Sequence, residues 1–135
     1  MAFGGYLMQF GSQRLPLDLV QLGTYNITPD QRQDLDSYRD NNGVLHRNVL
    51  GHTASKIEFQ TTPMRESDKV RLMNLLTGHF TNEKERKLDA GYYDPVSSEY
   101  KTGTFYMPDP QFTLYTIDEH GELWYDSFRL AFIEY

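Results

Sequence analysis

Residues 55–80 read SKIEFQTTPMRESDKVRLMNLLTGHF, and in this stretch a half-buried strand gives way to the one convincing helix of the chain. Over 56–61 polar and apolar residues alternate. Ile57 and Phe59 share one face, and Lys56, Glu58 and Gln60 share the other, which is the period of two of a strand with one wet face. Pro63 cannot donate to a sheet ladder and suits the start of a helix, where Glu66, Ser67 and Asp68 add acceptors and negative charge. The predicted helix covers about 66–77. Val70, Leu72, Met73, Leu75 and Leu76 form its apolar arc, with Arg71, Asn74 and Thr77 outside. Gly78 is the expected stop, in the left-handed conformation that closes many helices.

Outward from this stretch the chain reads as β-structure. In 6–18, YLMQFGSQRLPLD, a first hairpin turns at Gly11-Ser12, and Pro16 assigns its return strand to an edge. Thr28-Pro29-Asp30 predicts a turn after the mixed segment 19–27. Residues 31–54 carry apolar residues without a helical face (Leu35, Tyr38, Val44, Leu45, Val49, Leu50), and Asn41-Asn42-Gly43 is a strong turn signal. The expectation is a long, polar, protruding hairpin with its tip near Asn42. So few apolar residues cannot hold a hairpin unaided, so something must lie against it.

Beyond the helix, 81–86 reads as a charged connection. Residues 87–93 and 101–107 flank the turn Asp94-Pro95-Val96-Ser97-Ser98 as another hairpin. Pro108-Asp109-Pro110 breaks the sheet, 112–117 alternates again, and Glu119-His120-Gly121 turns the chain. Residues 123–135 form the longest predicted strand, ordered to the last residue. Phe128, Leu130 and Phe132 lie on one face and Tyr125, Ala131 and Ile133 on the other, a pattern that belongs inside a sandwich or against another chain. Seven to nine strands and one helix define a mainly β (α+β) sandwich or barrel of two packed sheets with a flanking helix.

A chain of 135 residues fits a single domain, 1–135, large enough to bury about two-thirds of its unfolded surface. It contains no cysteine, which removes disulfides, thiolate zinc sites and cysteine nucleophiles and fits a reducing cytoplasm. No leader pattern opens it and no apolar run is long enough to cross a bilayer, so it reads as soluble and unprocessed, with no membrane partner. The net charge of −6 is dispersed, and the basic residues in 84–87 are interrupted by Glu85, so no nucleic-acid surface is predicted. Aromatic residues make up 14%, with 10 tyrosines, a composition of surfaces built to be covered by sugar or protein.

Chemistry-bearing constellations are sparse. His46, His52, His79 and His120 fall in no metal-ligand spacing, and His79 is better placed to complement the helix carboxyl end. Asp34 with Asp36, or Asp89 with Asp94, would have to face one another across a cleft to act as a glycosidic acid-base pair, and the sequence places none so. Asp34-Leu35-Asp36 lacks the remaining ligands and glycine of a calcium loop. No nucleophile elbow, phosphate loop or dinucleotide fingerprint occurs. The expectation is a non-enzyme without cofactor or metal. Trp124 with Tyr92, Tyr93, Tyr100, Tyr106, Tyr115 and Tyr125 offers the alternative of a monomeric β-sandwich carbohydrate-binding module.

The order of features resembles a known family. Short amino-terminal strands, a long polar hairpin carrying Arg39-Asp40-Asn41-Asn42-Gly43-Val44-Leu45-His46-Arg47, the strand Lys56-Ile57-Glu58-Phe59, one helix, and the strands Gly91-Tyr92-Tyr93 and Thr104-Phe105-Tyr106 are similar to small structural tail proteins of long-tailed bacteriophages or prophages. The resemblance implies a tail-tube-like fold of two packed sheets whose long hairpin reaches the adjacent subunit. It implies a homo-oligomeric, hexameric ring in the tail tube or at the distal tail and baseplate, made in the bacterial host cytoplasm and located in the virion tail. Partners would be further copies of itself and other tail or baseplate proteins. The acidic charge suits a lumen that lets DNA pass without gripping it. On this reading Arg39, Asp40, Asn42, Val44, Leu45 and Arg47 make subunit contacts.

Overall fold

The computed structural model describes residues 3–135. Its main layer is an open sheet of eight antiparallel strands, ordered β2-β1-β9-β10-β13-β6-β3, with β8 beside the other end of β9. These are β1 (Met8–Phe10), β2 (Gln13–Arg14), β3 (Asn26–Gln31), β6 (Ala54–Gln60), β8 (Phe80–Asn82), β9 (Lys87–Asp94), β10 (Glu99–Tyr106) and β13 (Arg129–Glu134). A three-stranded sheet orders β11 (Leu114–Ile117), β12 (Leu123–Tyr125) and β7 (Met64–Arg65), and β4 (Tyr38–Arg39) pairs with β5 (Leu45–His46) in a separate ribbon. The single α-helix among the described residues, α1 (Glu66–Thr77), contacts β7 and β12. The fold is therefore mainly β with a flanking helix, as the periodicities predict, and its main sheet stays open rather than closing into a barrel.

The period of two in 56–61 becomes β6, in which Ser55, Ile57 and Phe59 are buried and the intervening residues are not. Its neighbour β13 pairs Leu130 with Phe59 and Phe132 with Ile57, so four large apolar side chains point into one core. From β9 come Leu88, Ala90 and Tyr92, from β10 Phe105, and from β1 Met8 and Phe10. Leu72 and Leu76 of α1, Met64 of β7 and Tyr125 of β12 complete the cluster. Burying each such side chain contributes about 1.5–3 kcal/mol. The helix covers the range predicted, with Arg71, Asn74 and Thr77 exposed and Met73 and Leu75 packed at the margin of the core.

Several local expectations give way to tertiary geometry. The predicted strand over 123–135 is two strands in two sheets, because the chain crosses between layers at 126–128. Its partner crosses beside it: Gln60 pairs with Arg129 in the main sheet, and Met64 pairs with Tyr125 in the small one. The buried Thr61 ties the two bends together, with its Oγ1 accepting from the Phe128 N–H at 3.1 Å and its own N–H donating to the Phe128 carbonyl at 2.9 Å. Pro63 thus serves this bend, where a missing N–H leaves no gap in a ladder, and the short β7 separates it from the helix. Arg65 occupies the helix N-cap, and no side chain caps it. Val70 lies outside the apolar arc, exposed.

Gly78 ends the helix in a right-handed conformation, φ −65°, not the left-handed one expected. The glycine is needed for space, since a Cβ there would stand 2.8 Å from the Asn74 carbonyl oxygen. Thr28-Pro29-Asp30 is a bulge inside the terminal strand β3 rather than a turn. An edge tolerates the missing proline N–H, and Asp30 adopts a φ of +48°. Residues 81–86 belong to a β8–β9 hairpin. The thirteen strands among the described residues exceed the predicted number because several span two residues, too few to show an alternation.

Candidate functional site

The 31–54 segment connects β3 to β6, adjacent strands that are still paired at Gln31 and Ala54, and it leaves the body from the terminal strand of the main sheet. It is a hairpin, as expected, with a sparse ladder. Beyond the two-residue strands, an isolated bridge joins Asp34 to Val49, and the Leu35 and Leu50 amides donate to the Asn48 and Gln33 carbonyls at 2.8 Å each. Polar side chains supply the remaining order. The Arg47 guanidinium grips Asp34 through Nε and Nη2, at 3.0 and 2.7 Å, and holds that carboxyl below the ordinary aspartate range. At the tip Asp40 accepts from His46 Nε2 at 2.8 Å and from the Val44 and Asn42 amides, which depress its carboxyl likewise. Arg39 donates to the Gly43 carbonyl at 2.9 Å, closing a turn that needs a φ of +78° at Gly43. Tyr38 stacks on His46 with ring centroids 5.0 Å apart.

Of the six predicted contact residues, Arg39, Asp40, Asn42 and Arg47 therefore have contacts within the hairpin, and the structure gathers all six in its outer half. Val44 and Leu45 point to solvent. Val44 is 54% exposed, and every residue over 41–52 is exposed. Leu35, Tyr38, Val49 and Leu50 extend the exposed apolar set along the same hairpin.

The base of this finger rests on a polar cluster that sequence reasoning missed. Asp94, 1% exposed by its side chain, meets Lys101 Nζ at 2.7 Å, and the same ammonium reaches Asp30 at 3.0 Å. Burial pushes the Asp94 carboxyl up, but Lys101, the Val96 amide and Ser97 together pull it below its ordinary value. Ser55 Oγ accepts from the Asp30 amide and lies 3.0 Å from the Tyr92 hydroxyl, while the Ser55 amide donates to Glu134 at 2.8 Å. Both feet of the finger, Asp30 and Ser55, are thereby bolted to the main sheet. A signal existed in register: pairing of 94 with 99 sets Lys101 beside Tyr92 on the core-facing side of β10.

The other candidates do not converge. Asp89 and Asp94 lie on opposite faces of β9, with Asp89 accepting from Thr104 Oγ1 at 2.8 Å, and Asp34 is committed to Arg47. His79 Nδ1 lies 2.7 Å from the Leu75 carbonyl, at the carboxyl end of α1 as expected. Among the described residues no three His, Cys, Asp or Glu side chains group as a metal site, and no helix is long and apolar enough to cross a membrane. In the basic run near residue 84, Arg86 donates to the Met107 carbonyl and Lys87 lies over Tyr135, so the run does not present one cationic face.

The aromatic residues do not assemble into one platform. Tyr92 and Tyr125 are buried in the core. A cleft of about 390 Å³ on the outer face of β1, β9 and β10 is lined by Tyr6, Gln9, Asp89, Gly91, Tyr100 and Thr102. Tyr6, however, has Tyr100 stacked at 4.4 Å and the Arg14 guanidinium at 4.3 Å from its ring centre. Two groups that close must occupy opposite faces, which leaves no face of Tyr6 for a sugar. Trp124 lies under Arg65, 5.1 Å away, and donates to Asp118 at 3.1 Å.

Fold and site together define a class: an open-sheet β domain bearing a pinned finger whose apolar side chains face solvent. The chain belongs to the family described as "Family of unknown function (DUF6711)", whose match spans residues 1–135. No curated protein matches it. Among solved structures it is similar to a chain of one described as "Virion of native gene transfer agent (GTA) particle", with 16% identity, a TM-score of 0.50, and coverage of 99% of this chain and 95% of the other. That likeness extends over nearly the whole of both chains and shows a shared fold.

Proposed function

We propose that this protein is a non-enzymatic structural component of a phage-like virion, a tail subunit that assembles into a hexameric ring in the tail tube or at the distal tail and baseplate. The observation that carries the reading is the 31–54 finger, ordered by its own polar pins while Val44, Leu45 and their apolar neighbours stay exposed. A soluble monomer gains nothing from such a patch, whereas a subunit that covers it on a neighbour gains both area and register. The fold shared with a chain of a gene transfer agent virion supports the same reading.

Copies of this chain would be the main partner, through Arg39, Asp40, Asn42, Val44, Leu45 and Arg47, with other tail or baseplate proteins above and below. The subunit would be made in the host cytoplasm and end in the virion tail. The net charge of −6 is compatible with a lumen that passes DNA without holding it.

Native mass measurement over a wide concentration range, with electron microscopy of the same samples, tests this. Wild-type protein is expected to form hexamers or stacked hexamers. The double variant Val44→Asp/Leu45→Asp is expected to remain a folded single copy. Rings that persist in the double variant would remove the finger from the interface, and wild-type protein that stays a single copy at every concentration would sink the ring itself.

A further inference from the structure

Strand β11 is the free edge of the small sheet, and every residue over 111–117 is exposed. Leu114, Tyr115 and Ile117 project from it, with Ile117 67% exposed, and a bulge between Leu114 and Thr116 leaves Tyr115 outside the β12 ladder. An edge strand that is apolar on both faces is a template for another strand, and soluble monomers normally block such edges with charge, proline or a covering element. Its own segment is also one-sided in charge. Residues 109–126 include Asp109, Asp118, Glu119, Glu122 and Asp126 and no lysine or arginine. Arg65 of β7 reaches Glu122 at 3.9 Å and Arg86 reaches Asp109 at 3.5 Å, which leaves Asp118, Glu119 and Asp126 without an arginine or lysine partner among the described residues.

We infer that the β11 edge is the seat for the 31–54 finger of a second copy of this chain, an inference that rests on the assembly reading above and names its receiving surface. Charge selects the occupant. Pairing β11 with β11 of another copy would bring two acidic segments together, which like-charge repulsion disfavours. The finger holds three arginines and three aspartates, so its complement to the edge is local, in its apolar side chains and in two of its arginines. It carries the other large group of exposed apolar side chains, and its Arg32 and Arg39 pair with no carboxylate among the described residues, leaving their charge for a partner. Because finger and edge are different patches of one chain, the contact is heterologous, the type that builds a ring when its rotation closes and a filament when it does not.

The absence of cysteine allows a direct test. Val44→Cys and Ile117→Cys, both at exposed positions where folding is not at stake, are mixed under mild oxidation and compared with Val44→Cys mixed with Val96→Cys, another exposed position. The Val44/Ile117 disulfide is expected to form at least about tenfold faster than the control, because docked thiols share a millimolar effective concentration. Val44→Cys alone and Ile117→Cys alone should give no faster self-linking than the control. Equal rates for both mixtures, in protein whose native mass still shows assembly, would overturn the β11 seat and leave the ring standing. Equal rates with a single-copy native mass would overturn both. As a second readout, Leu114→Lys/Ile117→Lys should reduce assembly as strongly as Val44→Asp/Leu45→Asp, and unchanged assembly would also overturn the seat.

Discussion

Between Ala54 and Gln60 alternate residues are buried, and the strand is gripped on both sides by β3 and β13, whereas over 41–52 every residue is exposed and the backbone ladder is reduced to short ribbons and bridges. Both segments contain aliphatic residues. What separates them is the partner. Ile57 and Phe59 meet Phe132 and Leu130 within the same chain, while Val44 and Leu45 meet solvent. The strand is stabilised by burial and the finger by ion pairs and turn hydrogen bonds, which hold a shape without supplying much stability. The contrast teaches that one part of this molecule buries its aliphatic side chains in folding and the other holds a shape while leaving them in solvent.

Three variants probe that division, and their effects on stability should decline in order. Phe132→Ala empties a fully buried site between Phe10 and Phe59 and is expected to cost about 3–5 kcal/mol in denaturant unfolding. A cost as small as that of a surface change would mean that the core does not converge on β6 and β13.

Lys101→Met strikes the junction between the two regions. It leaves the Asp94 carboxyl buried without its cation, so the unfolding midpoint at neutral pH should fall by less than in Phe132→Ala but by more than for any change in the finger. The pH dependence follows from the depressed Asp94 carboxyl. A folded-state pKa below the unfolded one adds stability above the unfolded value, and that stability is lost as pH falls through the folded value. The wild-type advantage over Lys101→Met should therefore be full at about pH 7 and shrink by about pH 3, as read by urea unfolding at each pH. A pH-independent gap would mean that the pair does not supply it.

Val44→Asp/Leu45→Asp should change monomer stability least, by no more than about 0.5 kcal/mol, although it is the variant expected to stop assembly. A loss of several kcal/mol would show that these side chains support the finger rather than a neighbour.

Much of the body was legible because its signals are local. The alternation over 56–61, the apolar arc of Leu72 and Leu76, the Gly11-Ser12 turn and the hairpin over 87–107 each depend on residues within one or two turns or strands of one another. The finger was legible as a hairpin from Asn41-Asn42-Gly43 and as incomplete from its composition. The bend at 126–128 was not, because Asp126-Ser127-Phe128 looks like strand until Thr61 on a distant segment claims both the N–H and the carbonyl of Phe128. The Lys101 junction was hidden in the same way: Asp94 before Pro95 reads as turn chemistry, and only strand register brings it to an ammonium that also reaches Asp30.

Sequence by itself determined the mainly β class, the range of the helix and the existence of the finger, because periodicity and turn chemistry act over short separations, whereas the exposure of the finger's apolar residues came from the tertiary structure. Tertiary structure decided that the main sheet stays open, that the carboxyl-terminal segment divides between two sheets, that the feet of the finger are bolted through Lys101 and Ser55, and that β11 is left as a free edge. Those features arise from pairings between residues far apart in the chain, whose register is set by which side chains the common core accepts.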